Sequence, residues 1–529
     1  MGALKGRTHQ GGNGPTSRGK VVGSGLCHEQ TALAQSEVLE ASVEHAVGIE
    51  DLTVTHKMNL PGLHVVKSRR GVPVLFPGDA SVRQQAIPVK LGTVTNRILI
   101  ADLPATPEGP VSVSGWVDTV RDQKKVQFVV LRDESGAAQL VHPRSEETDP
   151  IAETISGLAA GTFLTVTGEL KLDERVKLGG LEIKVDGIVV AGAAIAETPI
   201  ADDTSIDKRL DWRFIDLRTA RNNLMFRVQT TMEHAMRCYW IDRGYIEIHT
   251  PKLMASASES HAELFQLEYF ETTAYLAQSP QFYKQMAQSA GFGKVFEIGP
   301  VFRADPSFTS RHATEFISVD AELSWIDSHE DVMAMQEELL VAALSAVKEK
   351  HGDAIKELFD VDVTVPSIPF PRIPLAEAKR IVAERGYEVP RDDEDMDPEG
   401  ERQIAAYAAE ELGHEFVFLT DYAANIRPFY HMRHEDNPAL TKSYDLIWNG
   451  TEITTGAQRE HRIEVLEAQA REKGLDPEGL SFYLDFFRYG VPPHGGFGMG
   501  LSRMLMLLLH QPNLREVSFL FRGPNRLSP

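Results

Sequence analysis

The sequence predicts an α+β chain in which a small β-barrel precedes a larger domain of mixed helix and strand. Three observations carry this. About five short runs of alternating apolar and polar residues lie between 111 and 190, separated by Gly-containing turns. Beyond a linker the periodicity changes, and helical spacing alternates with strand-like runs. The composition, 42% hydrophobic and 25% charged, is that of an ordinary globular protein.

The elements follow in order. Residues 1–28 are rich in Gly and Ser, with Lys5, Arg7, Arg18 and Lys20 as their only charges. They open an N-terminal extension, 1–86, expected to be partly disordered. A transit peptide is the runner-up, disfavoured by the glycines and the few arginines. Strand-like runs at Val111–Val117, Val126–Leu131, Ala138–Val141, Phe163–Leu170 and Leu181–Val190 fit an OB-fold within 87–195. A small β-sandwich fits the same alternation. Residues 196–215 read as a linker, and 216–529 as the second domain. There Leu224–Arg243 has helical spacing ending at Gly244, Tyr245–His249 is strand-like, and Val332–Lys350 is an amphipathic helix. Residues 391–402 read as an acidic, solvated stretch.

Composition excludes several classes. No apolar run approaches the ~18 residues that span a bilayer. Two cysteines, Cys27 and Cys238, make neither a disulfide scaffold nor a CxxC zinc site, and a reducing cytoplasm is the expected location. The formal charge of −22 is wrong for a protein that coats nucleic acid non-specifically, yet compatible with one local basic surface.

Three constellations carry chemistry. Val301–Asp305 followed by Ser310–Phe316 brings Arg303, Arg311 and Phe316 together across a strand, loop and strand. Arginine forks grip phosphate oxygens, and an aromatic face beside them can stack a purine. Tyr444-Asp445-Leu446 and Gly450–Arg459 place Asp445 and Glu452 toward one cleft, with Thr455 at a strand end; these oxygens suit Mg²⁺ when phosphates complete its shell. His494–Arg503 runs glycines into a helix start, with Arg503 in the first turn. It is not a dinucleotide fingerprint, because Leu501 stands where GxGxxG needs glycine.

Together these blocks resemble motifs 2 and 3 of a class II aminoacyl-tRNA synthetase, with the strand between them. Arg243–Pro251 resembles motif 1, the dimer-interface helix and strand. The likeness, to the archaeal and eukaryotic aspartyl type, spans about 92–529. It implies an antiparallel sheet flanked by helices and a homodimer through Gly244 to Pro251.

The resemblance also implies roles. Gln278–Lys284 matches the substrate-binding segment, with Gln281 and Lys284 as aspartate ligands and Arg459 in the same pocket. Two cations converging on one small site imply a carboxylate side chain, since asparagine would leave one without a counter-ion. Glu259 and Asp320 match positions that meet the substrate ammonium, and Thr455 also belongs to this pocket. For ATP, the resemblance gives Arg303 to the α-phosphate, Phe316 to the adenine, and Arg311, His312 and Arg503 to the outer phosphates, with Asp305 and Gly500 also in contact. Arg303, Arg503 and Glu452 are the catalytic candidates, and Glu452 with Thr455 would hold Mg²⁺. Phe128, Gln139 and Glu182 match anticodon-reading positions. Asp118 and Lys177 match positions that choose between tRNA-Asp alone and tRNA-Asp with tRNA-Asn, and that choice stays open.

Some residues depart from the pattern. Ser502 stands where Glu is usual, Asp305 replaces Glu, Thr455 replaces Ser, and Phe521 and Gly523 replace Pro and Asp. The expected activity is an aspartate–tRNA ligase. The alternatives are a paralogue that passes aspartyl-adenylate to a non-tRNA acceptor, and a non-catalytic RNA-binding paralogue.

Overall fold

The computed structural model describes residues 97–145, 148–201, 203–256, 264–306, 309–391 and 393–529, and the backbone of two strands near the N-terminus. The chain divides into two units, Met1–Gly92 and Thr93–Pro529. In the first, β1 (Leu63–Lys67) and β2 (Pro73–Pro77) pair as an antiparallel hairpin. The rest of the 1–86 extension, expected to be partly disordered, lies outside the described residues.

The second unit opens with a closed barrel of β3 (Gly109–Asp122), β4 (Val126–Arg132), β5 (Ala137–Pro143), β6 (Phe163–Leu172) and β7 (Leu181–Gly192), ordered β3-β4-β5-β7-β6. The strands lie where alternation put them. Val113, Leu131, Leu140, Leu164 and Ile183 are buried in its core. Closure decides against the sandwich. It depends on β3, whose register shifts between Val117 and Thr119 so that one long strand bends to pair with both β4 and β6. Between β5 and β6 runs α1 (Pro150–Ser156), capped by the Asp149 side chain on Ala152 N–H.

The linker expectation is corrected over 206–215. Helices α2 (Ile206–Asp211) and α3 (Arg213–Asp216) form there, and Arg213 is 1% exposed. Its guanidinium binds Asp216 and the carbonyl oxygens of Glu516 and Ser518, which ties the segment to the C-terminal end of the chain. A lone arginine in a polar stretch carries no sequence signal of such burial.

The remaining elements are α4 (Ala220–Asp242), β8 (Ile246–Glu247), β9 (Leu253–Met254), β10 (Gln266–Tyr269), β11 (Thr272–Leu276), α5 (Gln281–Ser289), β12 (Lys294–Phe302), β13 (Glu315–Ser324), α6 (His329–Phe359), β14 (Arg372–Pro374), α7 (Leu375–Glu384), α8 (Pro398–Glu411), β15 (Phe416–Thr420), β16 (Ser443–Trp448), β17 (Thr451–Gln458), α9 (Ile463–Glu472), α10 (Ser481–Arg488), β18 (His494–Gly500), α11 (Leu501–Leu508) and α12 (Leu514–Val517). Eight strands form one sheet, ordered β14-β15-β16-β17-β18-β13-β12-β8, antiparallel except at its two edges. Helix α4 turns into β8 at Gly244, whose φ of +79° favours glycine. Helix α6 starts with a capping box between Ser328 and Asp331.

Alternation assigns the two faces of the sheet. Val319, Ala321, Phe497 and Met499 point into the core shared with α4 and α6. Their neighbours Phe316, Ser318, Asp320 and Glu322 on β13, and Gly496, Gly498 and Gly500 on β18, build the opposite face. The glycine run that the sequence places directly before a helix is therefore a central strand that leads straight into α11.

Candidate active site

The open face of the sheet floors a cavity of about 520 Å³. Asp320, Gly498, Thr455 and Asp445 stand in one row across β13, β18, β17 and β16. The glycines are required by what lies beside them. A Cβ on Gly498 would sit 3.2 Å from Asp320 Oδ1, and one on Gly496 would sit 2.3 Å from Glu322 Oε2.

At one end of the cavity, Lys284 and Arg459 converge, as the sequence predicts. Each is 2% exposed. Lys284 Nζ donates to Asp320 Oδ1 and to Phe497 O, both at 2.9 Å, and lies 3.4 Å from Glu322 Oε2. Arg459 Nε donates to Glu322 Oε1 at 3.0 Å. Burial pushes the Glu322 carboxyl up, but Arg459 and Lys284 together hold it below the usual carboxylate range. The charge balance corrects the expectation: two buried carboxylates already offset the two cations, so asparagine would leave neither of them bare. Glu322 was missed in the sequence, although it follows Asp320 by two on one strand and so shares its face.

Helix α5 is braced from beneath. Gln281 Nε2 donates to Gln285 Oε1, and Gln285 Nε2 donates to His494 Nε2 at 3.0 Å, while His494 Nδ1 bonds Pro492 O. His494 is completely buried, which lowers it to about 4. An unfolded histidine titrates near 6.5, so the unfolded chain takes up this proton first and stability falls as pH drops from 6.5 toward 4. Unfolding free energy is expected to fall by about 2 kcal/mol between pH 7 and pH 5 from this group, measured by urea titration at both, and His494→Gln should remove that part of the slope.

At the other end, Arg303 lies one residue beyond β12, its guanidinium carbon 5.6 Å from the Phe316 ring centre. Its Nε is buried without a hydrogen-bond partner among the described residues. Arg311 is paired at 2.8 Å with Glu401 on α8. Glu401 is 8% exposed, so the acidic stretch is not wholly solvated as expected. Arg503 donates from Nη1 to Glu452 O at 2.9 Å and from Nε to Arg311 O at 3.3 Å. His312 bonds the Thr309 hydroxyl, and burial, with Arg503 and Arg311, lowers its ring below the ordinary value. Asp305, Ser502 and Gly500 also line the cavity. Gly500 is the last residue of β18 and the N-cap of α11.

Thr455 lies mid-strand, not at a strand end, and reaches Glu452 through a bulge. Ile447 pairs with Glu452 and Leu446 with Thr454, leaving Ile453 as an extra residue on β17. The extra residue reverses parity, so positions 452 and 455 share a face despite their odd spacing. Ile453 turns into the core, and Thr455 Oγ1 bonds Glu452 Oε1 at 3.3 Å. Burial pushes Glu452 up, but Arg503, Arg427 and Arg303 hold it below its ordinary value. Next to it, burial drives Asp445 up to about 7 against the pull of Arg427, and its Oδ1 has no partner among the described residues. Among the described residues no group of three or more His, Cys, Asp or Glu could cage a metal. The oxygens present fit a divalent cation that draws its other ligands from phosphates and water.

All the aspartate, ATP and metal candidates thus border one cavity except Glu259, which lies outside the described residues. The family profile described as tRNA synthetases class II (D, K and N) matches residues 205–522. The chain belongs to this family of synthetases. An OB-fold nucleic acid binding profile matches residues 111–191. The synthetase is 41% identical over 439 residues to the aspartate–tRNA(Asp/Asn) ligase of Aeropyrum pernix, covering 81% of this chain and 99% of that one. It is 42% identical to the aspartate–tRNA(Asp) ligase of Pyrococcus abyssi, covering 79% and 96%. Among solved structures, the Pyrococcus horikoshii asparaginyl-tRNA synthetase with asparaginyl-adenylate superposes with a TM-score of 0.77 at 31% identity, over 82% of this chain and 100% of that one. The Entamoeba histolytica aspartyl-tRNA synthetase gives 0.73 at 31%, over 82% and 92%.

On the synthetase's barrel, Phe128, Gln139 and Glu182 meet on the outer surface. Phe128 is half-buried on the side of β4 that faces away from the core. Gln139 Nε2 donates to Glu182 Oε2 at 3.0 Å. Arg121, not singled out in the sequence, donates to Gln139 Oε1 at 3.1 Å and lies 5.3 Å over the Phe128 ring. At the C-terminus the departures Phe521 and Gly523 belong together: a Cβ on Gly523 would sit 2.7 Å from the Phe521 ring. Among the described residues no helix is long and apolar enough to cross a membrane.

Proposed function

We propose that the synthetase activates L-aspartate with ATP and transfers it to the 3′ end of tRNA-Asp. The observation that carries this is one cavity with two buried cations on a shared carboxylate at one end and an arginine over an aromatic ring at the other. Lys284 and Arg459 orient the aspartate side chain, Gln281 and Asp320 receive its backbone end, and Phe316 stacks the adenine. Arg303 holds the α-phosphate as the substrate carboxylate attacks phosphorus and pyrophosphate leaves. Arg311, His312 and Arg503 receive the outer phosphates. Glu452 and Thr455 would hold Mg²⁺, which neutralises phosphate charge. No protein nucleophile takes part, and catalysis is alignment plus charge stabilisation.

Aspartate-dependent pyrophosphate exchange followed by charging of tRNA-Asp and tRNA-Asn transcripts tests this. Exchange and charging of tRNA-Asp are expected. Absence of exchange would refute the reading, and charging of both transcripts would set the tRNA range. Asp118 lies 3.8 Å from Arg132 and Lys177 is exposed, which leaves both available to that choice.

On the barrel, Phe128 stacks an anticodon base while Gln139, Glu182 and Arg121 bond its neighbours. Phe128→Ala should raise the KM for tRNA about tenfold or more and leave pyrophosphate exchange unchanged, since stacking contributes about 1–3 kcal/mol per base. The chain pairs with a second copy through the 244–251 segment. There the edge strand β8 carries exposed Ile246, flanked by exposed Ile241 and Leu253.

A further inference from the structure

His431 carries no signal in the sequence that marks it for the site. It bridges Arg459 in antiparallel register, and Met432 N and Glu460 N bond Gln458 O and Tyr430 O on either side, so a short ladder extends β17 past its end. The ladder sets imidazole and guanidinium side by side. His431 is 2% exposed, borders the cavity, and accepts the Arg459 Nη1 hydrogen on Nε2 at 2.9 Å.

Counting donors shows what this bond does. A guanidinium carries five N–H groups and cannot accept. Arg459 commits Nε to Glu322 Oε1, Nη2 to Gly496 O at 2.9 Å and to Glu322 Oε2 at 3.5 Å, and one Nη1 hydrogen to His431. One Nη1 hydrogen is left. An acceptor at Nε2 requires the ring proton on Nδ1, and Nδ1 is buried with no partner among the described residues. Buried polar atoms are nearly always paired, so the ring is held by its Nε2 bond at the expense of its other nitrogen. Burial and the surrounding cations Arg459, Arg427, Lys284 and Lys473 keep the ring neutral, the only form that can accept.

We propose that His431 is the positioning residue of Arg459, a neutral acceptor that fixes the arginine so that its remaining Nη1 hydrogen meets the side-chain carboxylate of the substrate. This role rests on the aspartate pocket proposed above. Pyrophosphate exchange with aspartate and ATP varied in turn tests it on the full chain. His431→Leu should raise the KM for aspartate about tenfold or more and change that for ATP less than twofold. His431→Gln, whose amide oxygen can accept the same hydrogen, should recover most of the loss, with thermal melts of both variants confirming folding. An unchanged aspartate KM in His431→Leu, a parallel rise for ATP, or a glutamine variant no better than leucine would overturn it. Arg459→Gln separates the two levels. If it leaves the aspartate KM unchanged, the pocket assignment fails as well. If it raises that KM while His431→Leu does not, only the role of His431 fails.

Discussion

Arg303→Ala is expected to lower aspartate-dependent pyrophosphate exchange by about 10²–10³-fold, the usual effect of removing one donor aimed at developing charge. Arg303 sits beside Phe316 at the mouth of the β12–β13 hairpin, and its buried Nε has no partner among the described residues. Charge accumulates on the α-phosphoryl oxygens as the carboxylate attacks, and a planar fixed cation stabilises that charge more than it stabilises the ground state. The loss should therefore appear in kcat, with the KM for aspartate nearly unchanged. Arg303 makes no ion pair that stabilises the fold among those described, so the urea midpoint should hold. A variant that kept its kcat would remove Arg303 from the chemistry.

Glu322→Gln should destabilise the fold by about 3–5 kcal/mol, because it strips one negative charge from a buried four-charge cluster. The same variant separates two accounts of aspartate recognition. If the cations only awaited a counter-ion, deleting Glu322 would tighten aspartate binding. In the structure Glu322 instead fixes where both cations point, gripping Arg459 at 3.0 Å on one oxygen and lying 3.4 Å from Lys284 on the other. Aspartate affinity should fall about tenfold or more. Equilibrium unfolding and the KM for aspartate measure the two effects separately, and tighter binding would favour simple charge balance.

The barrel was legible strand by strand, because a half-buried strand writes its period directly into the sequence. The catalytic candidates were legible as blocks, since Arg303, Glu452 and Arg503 each sit in a recognisable run. What escaped was long-range. Glu322 and His431 gain meaning only from Arg459, which lies 137 and 28 residues away from them. Glycines 496, 498 and 500 were legible as a run leading into a helix, but glycine weakens strands in isolation, so the strand they form was not legible. In the folded chain that strand lies between β13 and β17, and carboxylates from β13 occupy the space beside Gly496 and Gly498. Arg213 looked like a tether residue because its partners, 303 and 305 residues on, are backbone carbonyls that leave no trace in composition.

The odd residue at Ile453 has a consequence for how this site tolerates length changes. Removing Ile453 would restore strict alternation and leave Glu452 and Thr455 on the same side as before. Removing one residue from 455–457 would instead exchange the inner and outer sides of everything upstream on that strand, moving Glu452 into the inward place of Ile453 and Thr454 into the outward place of Thr455. Single-residue deletions beyond the bulge should thus be far more damaging than loss of the odd residue itself, whereas the turn at Asn449-Gly450 should absorb them.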